Sequence, residues 1–433
     1  MKLGMISLGC AKNKIDSELF LGCAVKYNIE ITDDVKEADI IVINTCGFID
    51  SAKKESIDTI LEMCDYKKDN KIIIAIGCLV ERYYKELNEL LPEVDYFVPV
   101  HKYNELDKLF KTLTSSNDSH YFEYKNRVLT TFNHSVYLRI AEGCNNRCSY
   151  CAIPLIRGNY KSRPASEIID EAKWLASIGS KEITLIAQDT TRYGTDLNNS
   201  DYTLAKLIHE ISNIEGIVWI RVLYLYVDEI TPELLNEFKT NPKLVPYFDL
   251  PLQHSTDHML KAMNRRGTRK DIDNLIKEIR SIKNSILRTT LIVGFPGETE
   301  EDFSDLLEFV KETKFDRLGV FKYSDEEGTA GFDMQPKIKK SVMNYRLKEI
   351  MKAQSLISLE KNKLMIGQKV KVLIDNFDFD KNLYVSRSYA YAMDDVDGYI
   401  YIKSETPLMV GEFYDVNIIK VDSYDLYAIV NKK

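Results

Sequence analysis

The chain has 433 residues, 45% of them hydrophobic, a net charge of −8 and a pI of about 5.5. This length predicts two or three domains, and the acidic balance excludes a protein that binds nucleic acid with its whole surface. The N-terminus lacks the apolar run of a signal peptide, and no stretch approaches the roughly 20 apolar residues of a membrane span. We therefore expect a cytoplasmic protein with no membrane partner, whose eight cysteines are ligands, catalysts or core residues and not disulfides.

The first 100 residues alternate apolar segments with helical ones. KLGMISLG, ADIIVINT, NKIIIAIG and YFVPV are typical of strands, and together they predict a parallel sheet with helices on its faces. Cys10, Cys46 and Cys78 each follow one of the first three strands. Because the carboxyl ends of parallel strands meet at one edge, where open α/β sheets bind ligands, we expect these thiols to converge. The alternative is three buried cysteines acting as small hydrophobic residues. Cys23 and Cys64 lie on apolar helix faces and are predicted core.

Six further strand–helix units follow the polar stretch TLTSSNDSHYFEYKN. Their strands are VYLRIAEG, EITLIAQDT, WIRVLYLY, YFDLPLQHS, RTTLIVGFPG and RLGVFKYS. They predict an open or partial (β/α) barrel, whose chemistry would sit at the C-terminal ends of its strands. The loop after the first strand carries Cys144, Cys148 and Cys151 as CxxxCxxC. A zinc site or an iron–sulfur cube takes four ligands, so this pattern lacks one.

Two simpler interpretations apply to the barrel residues. Zinc is the alternative for CxxxCxxC, but no second cysteine pair follows, and His254 is more typical of a hydrogen-bonded core residue. Gln188 and Asp189 end the second strand, where polar side chains meet cofactors or substrates. Their alternative role is to cap the end of that strand.

The last 70 residues change their hydrophobic period to two. After the long helical stretch KSVMNYRLKEIMKAQSLISLEKNKLMIG come five short alternating segments rich in Val, Ile and Tyr. They predict a small antiparallel β-barrel. The predicted fold class is therefore α/β: an N-terminal parallel α/β domain, a partial (β/α) barrel and a C-terminal small antiparallel β-barrel.

CxxxCxxC after the first strand of a barrel resembles the radical S-adenosylmethionine (SAM) superfamily. The resemblance implies that Cys144, Cys148 and Cys151 hold a 4Fe–4S cluster and that SAM fills the open position on its fourth iron. An electron from the cluster then cleaves SAM to a 5′-deoxyadenosyl radical. TTLIVGFPGE resembles the superfamily's fifth-strand motif near the adenine, although Thr290 replaces its first glycine. The candidate SAM contacts are Gln188, Asp189, Ile292 and Gly294.

The three domains in this order resemble the methylthiotransferases over essentially the whole chain. The resemblance implies that residues 1–115 hold an auxiliary 4Fe–4S cluster on Cys10, Cys46 and Cys78. Residues 130–360 would be the radical SAM core, and residues 363–433 a TRAM-like β-barrel. The family places a CH3–S group on an unactivated carbon and uses SAM, two 4Fe–4S clusters and an electron donor such as a flavodoxin or ferredoxin. No residue is assigned here as catalytic.

The segments LGCAKNKIDSE, AQDTTRYG and DRLGVFKYSDEEGT resemble the RimO-type branch of this family, which usually has Pro where Ala11 stands. That branch methylthiolates the β-carbon of an aspartate in small-subunit ribosomal protein S-twelve, a post-translational modification.

The net charge of the C-terminal segment also indicates whether the substrate is a protein or a tRNA. Residues 364–433 contain 11 acidic and 8 basic side chains, a balance that disfavours tRNA phosphates and suits a basic ribosomal protein. We expect Asp394, Asp395 and Asp397 to attract that substrate. The alternative is that these charged side chains only keep the surface of the segment hydrated. The alternative functions are a tRNA adenosine methylthiotransferase of the same family and, more remotely, a two-cluster electron carrier.

Overall fold

The strands of the chain form an N-terminal sheet, a central partial barrel and a C-terminal closed barrel. The structure is a computed structural model and describes residues 1–120, 123–197, 202–394 and 396–430. Across these residues we find no helix that combines the length and the apolar character needed to cross a membrane.

The N-terminal sheet is parallel, with strand order β2-β1-β3-β4-β5. Its elements are β1 (Lys2–Ser7), α1 (Ala11–Lys26), β2 (Glu30–Thr32), β3 (Ile40–Thr45), α2 (Asp50–Cys64), β4 (Ile72–Gly77), α3 (Cys78–Arg82), α4 (Tyr84–Leu90), β5 (Tyr96–Pro99) and α5 (Leu106–Thr114). The parallel sheet predicted from the sequence is confirmed. The sequence did not predict β2, which has three residues and lies at the edge beside β1.

Helices cover both faces of this sheet because its central strand is apolar on both sides. All six residues of β3 are buried. Val42 belongs to the apolar cluster that contains Phe110 of α5, and Ile43 belongs to the opposite cluster with Ile60 of α2. Cys23 lies in the first cluster, as predicted, while Cys64 is half-buried beside the second.

The central part contains the six predicted strands, all parallel, in two groups ordered β10-β9-β6 and β11-β12-β13. A single bridge between Ile220 and Leu244 joins the groups into one curved wall with open edges at β6 and β13. The elements are β6 (Ser135–Arg139), β7 (Ala141–Glu142), α6 (Ile153–Arg157), β8 (Lys161–Ser162), α7 (Ala165–Ser177), β9 (Glu182–Ile186), α8 (Leu204–Ser212), β10 (Trp219–Val222), α9 (Pro232–Thr240), β11 (Tyr247–Gln253), α10 (Asp257–Ala262), α11 (Arg269–Ser281), β12 (Ile286–Val293), α12 (Glu300–Thr313), β13 (Arg317–Lys322), α13 (Ala330–Asp333) and α14 (Lys340–Lys363).

The C-terminal strands close into a five-stranded barrel with order β14-β15-β16-β18-β17. They are β14 (Lys369–Asp378), β15 (Leu383–Arg387), β16 (Ile400–Lys403), β17 (Phe413–Val421) and β18 (Leu426–Val430). The barrel was predicted as antiparallel, but β16 and β18 pair in parallel. The reason is geometric, since directions cannot alternate all the way around a ring with an odd number of strands.

Helix α1 lies where the three parts meet. Ala11, Ile15 and Leu19 of α1 share an apolar cluster with Trp219 of the central barrel and Met393 of the C-terminal part. Its opposite face packs against the N-terminal sheet, so most of α1 is buried, including its polar residues. A helix buried on all sides must satisfy those polar groups internally.

A buried ion pair also joins the C-terminal barrel to the centre. Arg387 contacts Glu182 at 2.9 Å and Asp375 at 2.6 Å, and Arg221 contacts Glu182 at 3.0 Å. Burial by itself raises the pKa of Glu182, but Arg387 and Arg221 overcome it and hold the pKa at about 2. Because this is below the ordinary value of 4.5, the pairing stabilises the fold above about pH 4.5 and loses that contribution as the pH falls toward 2.

We expect Arg387→Met to destabilise the full chain by about 3–5 kcal/mol, because it removes a buried cation that two carboxylates share. The measurement is the urea unfolding midpoint at neutral pH. The matched control is Lys369→Met, which breaks an exposed pair with Asp415 and should cost at most about 1 kcal/mol. Equal midpoints for the two variants would contradict this account of the junction.

Candidate active site

The N-terminal triad consists of Cys10, Cys46 and Cys78, and the structure brings these three residues together. Each follows the end of its strand: Cys10 comes just before α1, Cys46 directly after β3, and Cys78 is the first residue of α3. Burial raises the pKa of Cys78, the Arg157 guanidinium opposes that rise, and the nearby Cys10 and Cys46 add to it, so that the pKa is about 12. Cys46 and Cys78 are buried and Cys10 is exposed, so the triad is open to solvent on the Cys10 side.

A glycine allows two of these loops to approach closely. A Cβ atom on Gly47 would lie 2.8 Å from the backbone nitrogen and the Cα of Leu79, which is closer than real Cβ contacts allow. The segments that carry Cys46 and Cys78 therefore touch backbone to backbone, and no larger residue fits between them.

The barrel triad consists of Cys144, Cys148 and Cys151, which the structure also gathers in one loop. A short hairpin of β7 and β8 frames the loop, and the Cys144 backbone N–H donates to the carbonyl of Gly158 at 3.1 Å. The backbone N–H of Cys151 donates to the carbonyl of Cys148 at 3.0 Å. Burial raises the pKa of Cys151, and Cys148 and Cys144 raise it further.

Two side chains that the sequence did not single out contact the barrel triad. The Tyr226 hydroxyl lies 3.0 Å from the Cys148 sulfur, and Nη1 of Arg265 donates to the same sulfur at 3.7 Å. The Arg265 guanidinium also stacks over the Tyr226 ring, 3.9 Å from its centroid. Tyr226 follows β10 at the end of WIRVLYLY, a strand-end position like those of Gln188 and Asp189.

Helix α6 links the barrel triad to the N-terminal triad. Cys78 packs directly against Ala152 and Ile156, and Ala152 is the residue after Cys151. At the far end of α6, Nη2 of Arg157 donates to the Cys78 sulfur at 3.1 Å. Arg157 was not among the residues predicted from the sequence. Its signal was a basic residue shortly after CxxxCxxC in an otherwise apolar stretch.

The donor sets suit iron–sulfur clusters better than a single metal ion. Over the described ranges, no three His, Cys, Asp or Glu side chains form a group that could hold one metal ion. The thiolates of a 4Fe–4S cluster bind different irons and stand further apart than the ligands of one ion, and all-thiolate ligation is what such a cluster takes. Two groups of three cysteines, four of them buried, therefore fit a cluster in each group.

Gln188 and Asp189 form hydrogen bonds with residues close to the barrel triad in the sequence. Nε2 of Gln188 donates to Glu142 at 2.6 Å, and Nδ2 of Asn146, within the cysteine loop, donates to Asp189 at 2.7 Å. Burial, and then Glu229, raise the pKa of Asp189 to about 6. The Gln188 side-chain oxygen is buried without a hydrogen-bond partner within the structure as described, so it is available to a donor from a ligand.

Ile292 and Gly294 lie further from the thiols. Ile292 belongs to a buried cluster with Met259 and Met263, against which Tyr150 of the cysteine loop packs. Gly294 has a positive φ of 78° and lies against Met343 of α14. Ile292 thus borders the cysteine loop through Tyr150, whereas Gly294 is covered by α14.

Glu326 forms a second junction between the N-terminal part and the barrel. It lies in the DRLGVFKYSDEEGT segment, is almost fully buried, and pairs with Lys53 at 3.0 Å and Arg82 at 2.5 Å. Both partners come from the N-terminal part, so this carboxylate fixes the N-terminal sheet over the loop that follows β13.

The expected acidic docking surface is wrong for Asp397, which is buried, whereas Asp394 is exposed and forms an ion pair. Asp397 is buried and accepts a hydrogen bond from the Tyr247 hydroxyl at 2.6 Å. Asp394 pairs with Lys14 and accepts from the Tyr137 hydroxyl, each at 2.6 Å. Asp395 lies outside the described residues. These carboxylates hold the C-terminal part onto α1 and the barrel, because a partly buried acid must find partners.

Comparison with known families matches each part of the chain. Residues 2–99 match the Uncharacterized protein family UPF0004, residues 138–310 the Radical SAM superfamily and residues 366–430 the TRAM domain. The solved radical S-adenosylmethionine methyltransferase TsrM from Kitasatospora setae, with cobalamin and a 4Fe–4S cluster bound, has a TM-score of 0.55 at 13% identity over 74% of each chain. The cobalamin-dependent radical enzyme OxsB has a TM-score of 0.52 at 14% identity over 81% of this chain and 56% of its own. At these identities the likeness concerns the fold alone.

Curated relatives match the full length. The ribosomal protein uS12 methylthiotransferase RimO of Clostridium botulinum (strain Eklund 17B / Type B) is 48% identical over 441 residues, covering 99% of this chain and 98% of its own. Proteins of the same name are 47% identical in Acetivibrio thermocellus over 446 residues and 49% identical in Clostridium kluyveri over 442 residues, with the same coverage.

We expect Gly47→Ala to reduce the iron bound after anaerobic reconstitution from about eight atoms to about four. The added methyl group must push the Cys46 segment away from the Cys78 segment, so only the N-terminal triad should fail. The control is Gly319→Ala, where a Cβ meets nothing within 4 Å. Iron analysis that finds full loading in the Gly47 variant would show that this close approach is not needed.

Proposed function

The chain belongs to the RimO family of ribosomal protein uS12 methylthiotransferases, and we propose that it methylthiolates the β-carbon of an aspartate in ribosomal protein uS12. It is a radical SAM enzyme and a transferase. The observation that best supports a reaction between two centres is the packing of Cys78 against Ala152, since Ala152 is the residue after Cys151 of the barrel triad.

We assign Cys144, Cys148 and Cys151 to the 4Fe–4S cluster that membership of the radical SAM superfamily implies, with SAM as its further ligand. When bound, this pair supplies a radical that takes a hydrogen atom from a carbon that no side-chain base deprotonates. Arg265 and Tyr226 hold the Cys148 sulfur, and burial shields the thiols from water. We further propose that Gln188, whose side-chain oxygen has no hydrogen-bond partner among the described residues, and the neighbouring Asp189 contact the SAM amino acid.

We assign Cys10, Cys46 and Cys78 to a second, auxiliary 4Fe–4S cluster. In support, these three thiols sit at equivalent strand ends and open to solvent at Cys10. The corresponding domains would be residues 1–115 for the auxiliary cluster, 130–360 for the radical SAM core and 363–433 for the TRAM-like barrel. We further propose that a small electron carrier such as a flavodoxin or ferredoxin supplies the reducing electron.

Exchanging the two triads for alanine separates their roles. The triple change Cys144→Ala, Cys148→Ala and Cys151→Ala should leave about four irons of about eight and abolish reductive SAM cleavage. The triple change Cys10→Ala, Cys46→Ala and Cys78→Ala should also leave about four irons, but should spare SAM cleavage and stop methylthio transfer. Iron content and 5′-deoxyadenosine release are the readouts. Release of 5′-deoxyadenosine by the first variant, or full transfer by the second, would overturn the corresponding assignment.

The substrate is tested by mass spectrometry of ribosomal proteins and tRNA from cells with and without this gene. We expect uS12 to lose one methylthio group when the gene is absent, and tRNA adenosines to be unchanged. A loss in tRNA with unmodified uS12 in both strains would replace this proposal with the tRNA methylthiotransferase of the same family.

A further inference from the structure

Arg157 reaches from the barrel into the N-terminal triad. It is the last residue of α6 and is buried. Nη2 donates to the Cys78 sulfur at 3.1 Å and to Oδ1 of Asn13 at 2.9 Å, while Nη1 forms an ion pair with Asp16 at 2.7 Å. One guanidinium thus contacts three residues of the N-terminal part.

Asn13 extends this contact to the other two cysteine loops. Its Nδ2 donates to the carbonyl of Leu8 and to the carbonyl of Thr45, each at 3.0 Å. Leu8 stands two residues before Cys10, and Thr45 stands immediately before Cys46. Arg157 donates a hydrogen bond to the Asn13 side-chain oxygen and so fixes the orientation of the Asn13 amide. In that orientation Nδ2 of Asn13 points to the carbonyls of the Cys10 and Cys46 loops.

Arg139 offers a comparison within the same buried network. It pairs with the same Asp16 at 2.6 Å and with Glu142 at 2.8 Å, which Arg157 approaches at 3.6 Å. The contacts found for Arg139 in the described part of the chain include no sulfur. The two arginines share their carboxylates and differ in the contact with Cys78.

An arginine against a ligand sulfur changes the energy of a cluster. A hydrogen bond to the sulfur and a nearby positive charge both favour the reduced, more negative state, and thereby raise the reduction potential. Burial strengthens both effects because the local dielectric is low. A guanidinium keeps its proton at every physiological pH, so its influence is permanent.

We propose that Arg157 is a positioning residue that holds the three N-terminal thiols in register and raises the reduction potential of the cluster they carry. This inference rests on the auxiliary cluster assigned above. Through Arg157, the barrel would thus influence the reduction potential of the auxiliary cluster in the N-terminal part.

The test uses the full chain with Cys144, Cys148 and Cys151 changed to alanine, so that the auxiliary cluster is observed alone. Redox titrations followed by electron paramagnetic resonance (EPR) compare this parent with Arg157→Gln, Arg157→Lys and Arg139→Gln. We expect the potential to become more negative in Arg157→Gln. The shift should be smaller in Arg157→Lys, which keeps the charge and loses the guanidinium geometry, and smaller in Arg139→Gln than in Arg157→Gln. An unchanged potential in Arg157→Gln, or an equal shift in Arg139→Gln, would overturn the inference.

A second measurement does not depend on the variants binding iron. Pulsed EPR of the reduced parent, labelled with ¹⁵N-arginine, should show a nitrogen coupling to the cluster, and its absence would refute the sulfur contact. Loss of iron in Arg157→Gln but not in Arg139→Gln would support the positioning role. A parent that holds no iron would overturn the auxiliary cluster itself, whereas about four irons with no coupling would overturn only the role of Arg157.

Discussion

The arrangement of the two cysteine triads depends on one buried carboxylate, that of Asp16 in α1. It lies between two arginines of the barrel, Arg139 at 2.6 Å and Arg157 at 2.7 Å. A buried acid without such partners would cost several kcal/mol, and so would either arginine without the acid. Together with Glu326, which pairs with Lys53 and Arg82, Asp16 favours the orientation of the N-terminal sheet in which these buried charges are neutralised. With that orientation fixed, Cys78 falls against the loop of the second triad.

The short helix α6 connects the two cysteine triads. Five residues of helix span roughly 7 Å, and α6 begins two residues after Cys151 and ends at Arg157. One end of this segment thus carries a thiol of the barrel triad, while the other contacts a thiol of the N-terminal triad.

Some acidic residues of the C-terminal part hold it onto the rest of the chain. Asp375 and Asp397 are buried in polar contacts, and Asp394 pairs with Lys14. The acidic excess of this segment is therefore smaller at its surface than its composition suggests. A count of charged residues includes those that form buried ion pairs within the chain. Only the folded structure distinguishes these residues from the charged residues that remain at the surface.

The sequence by itself determined the elements, the family and the two sets of cysteines. Apolar strands such as IIVINT and the alternating C-terminal segments carry their own hydrophobic periods, and the thiols follow strand ends, which in a parallel sheet share one edge. Those signals are local in the sequence, so they can be recognised before the fold is known. Arg157 with Cys78, Asp16 with Arg139, and Tyr226 with Cys148 were decided only by the tertiary structure. These contacts join residues that are distant in sequence. A buried charged group pairs with whichever oppositely charged group is buried beside it, and that depends on how the three parts of the chain pack together.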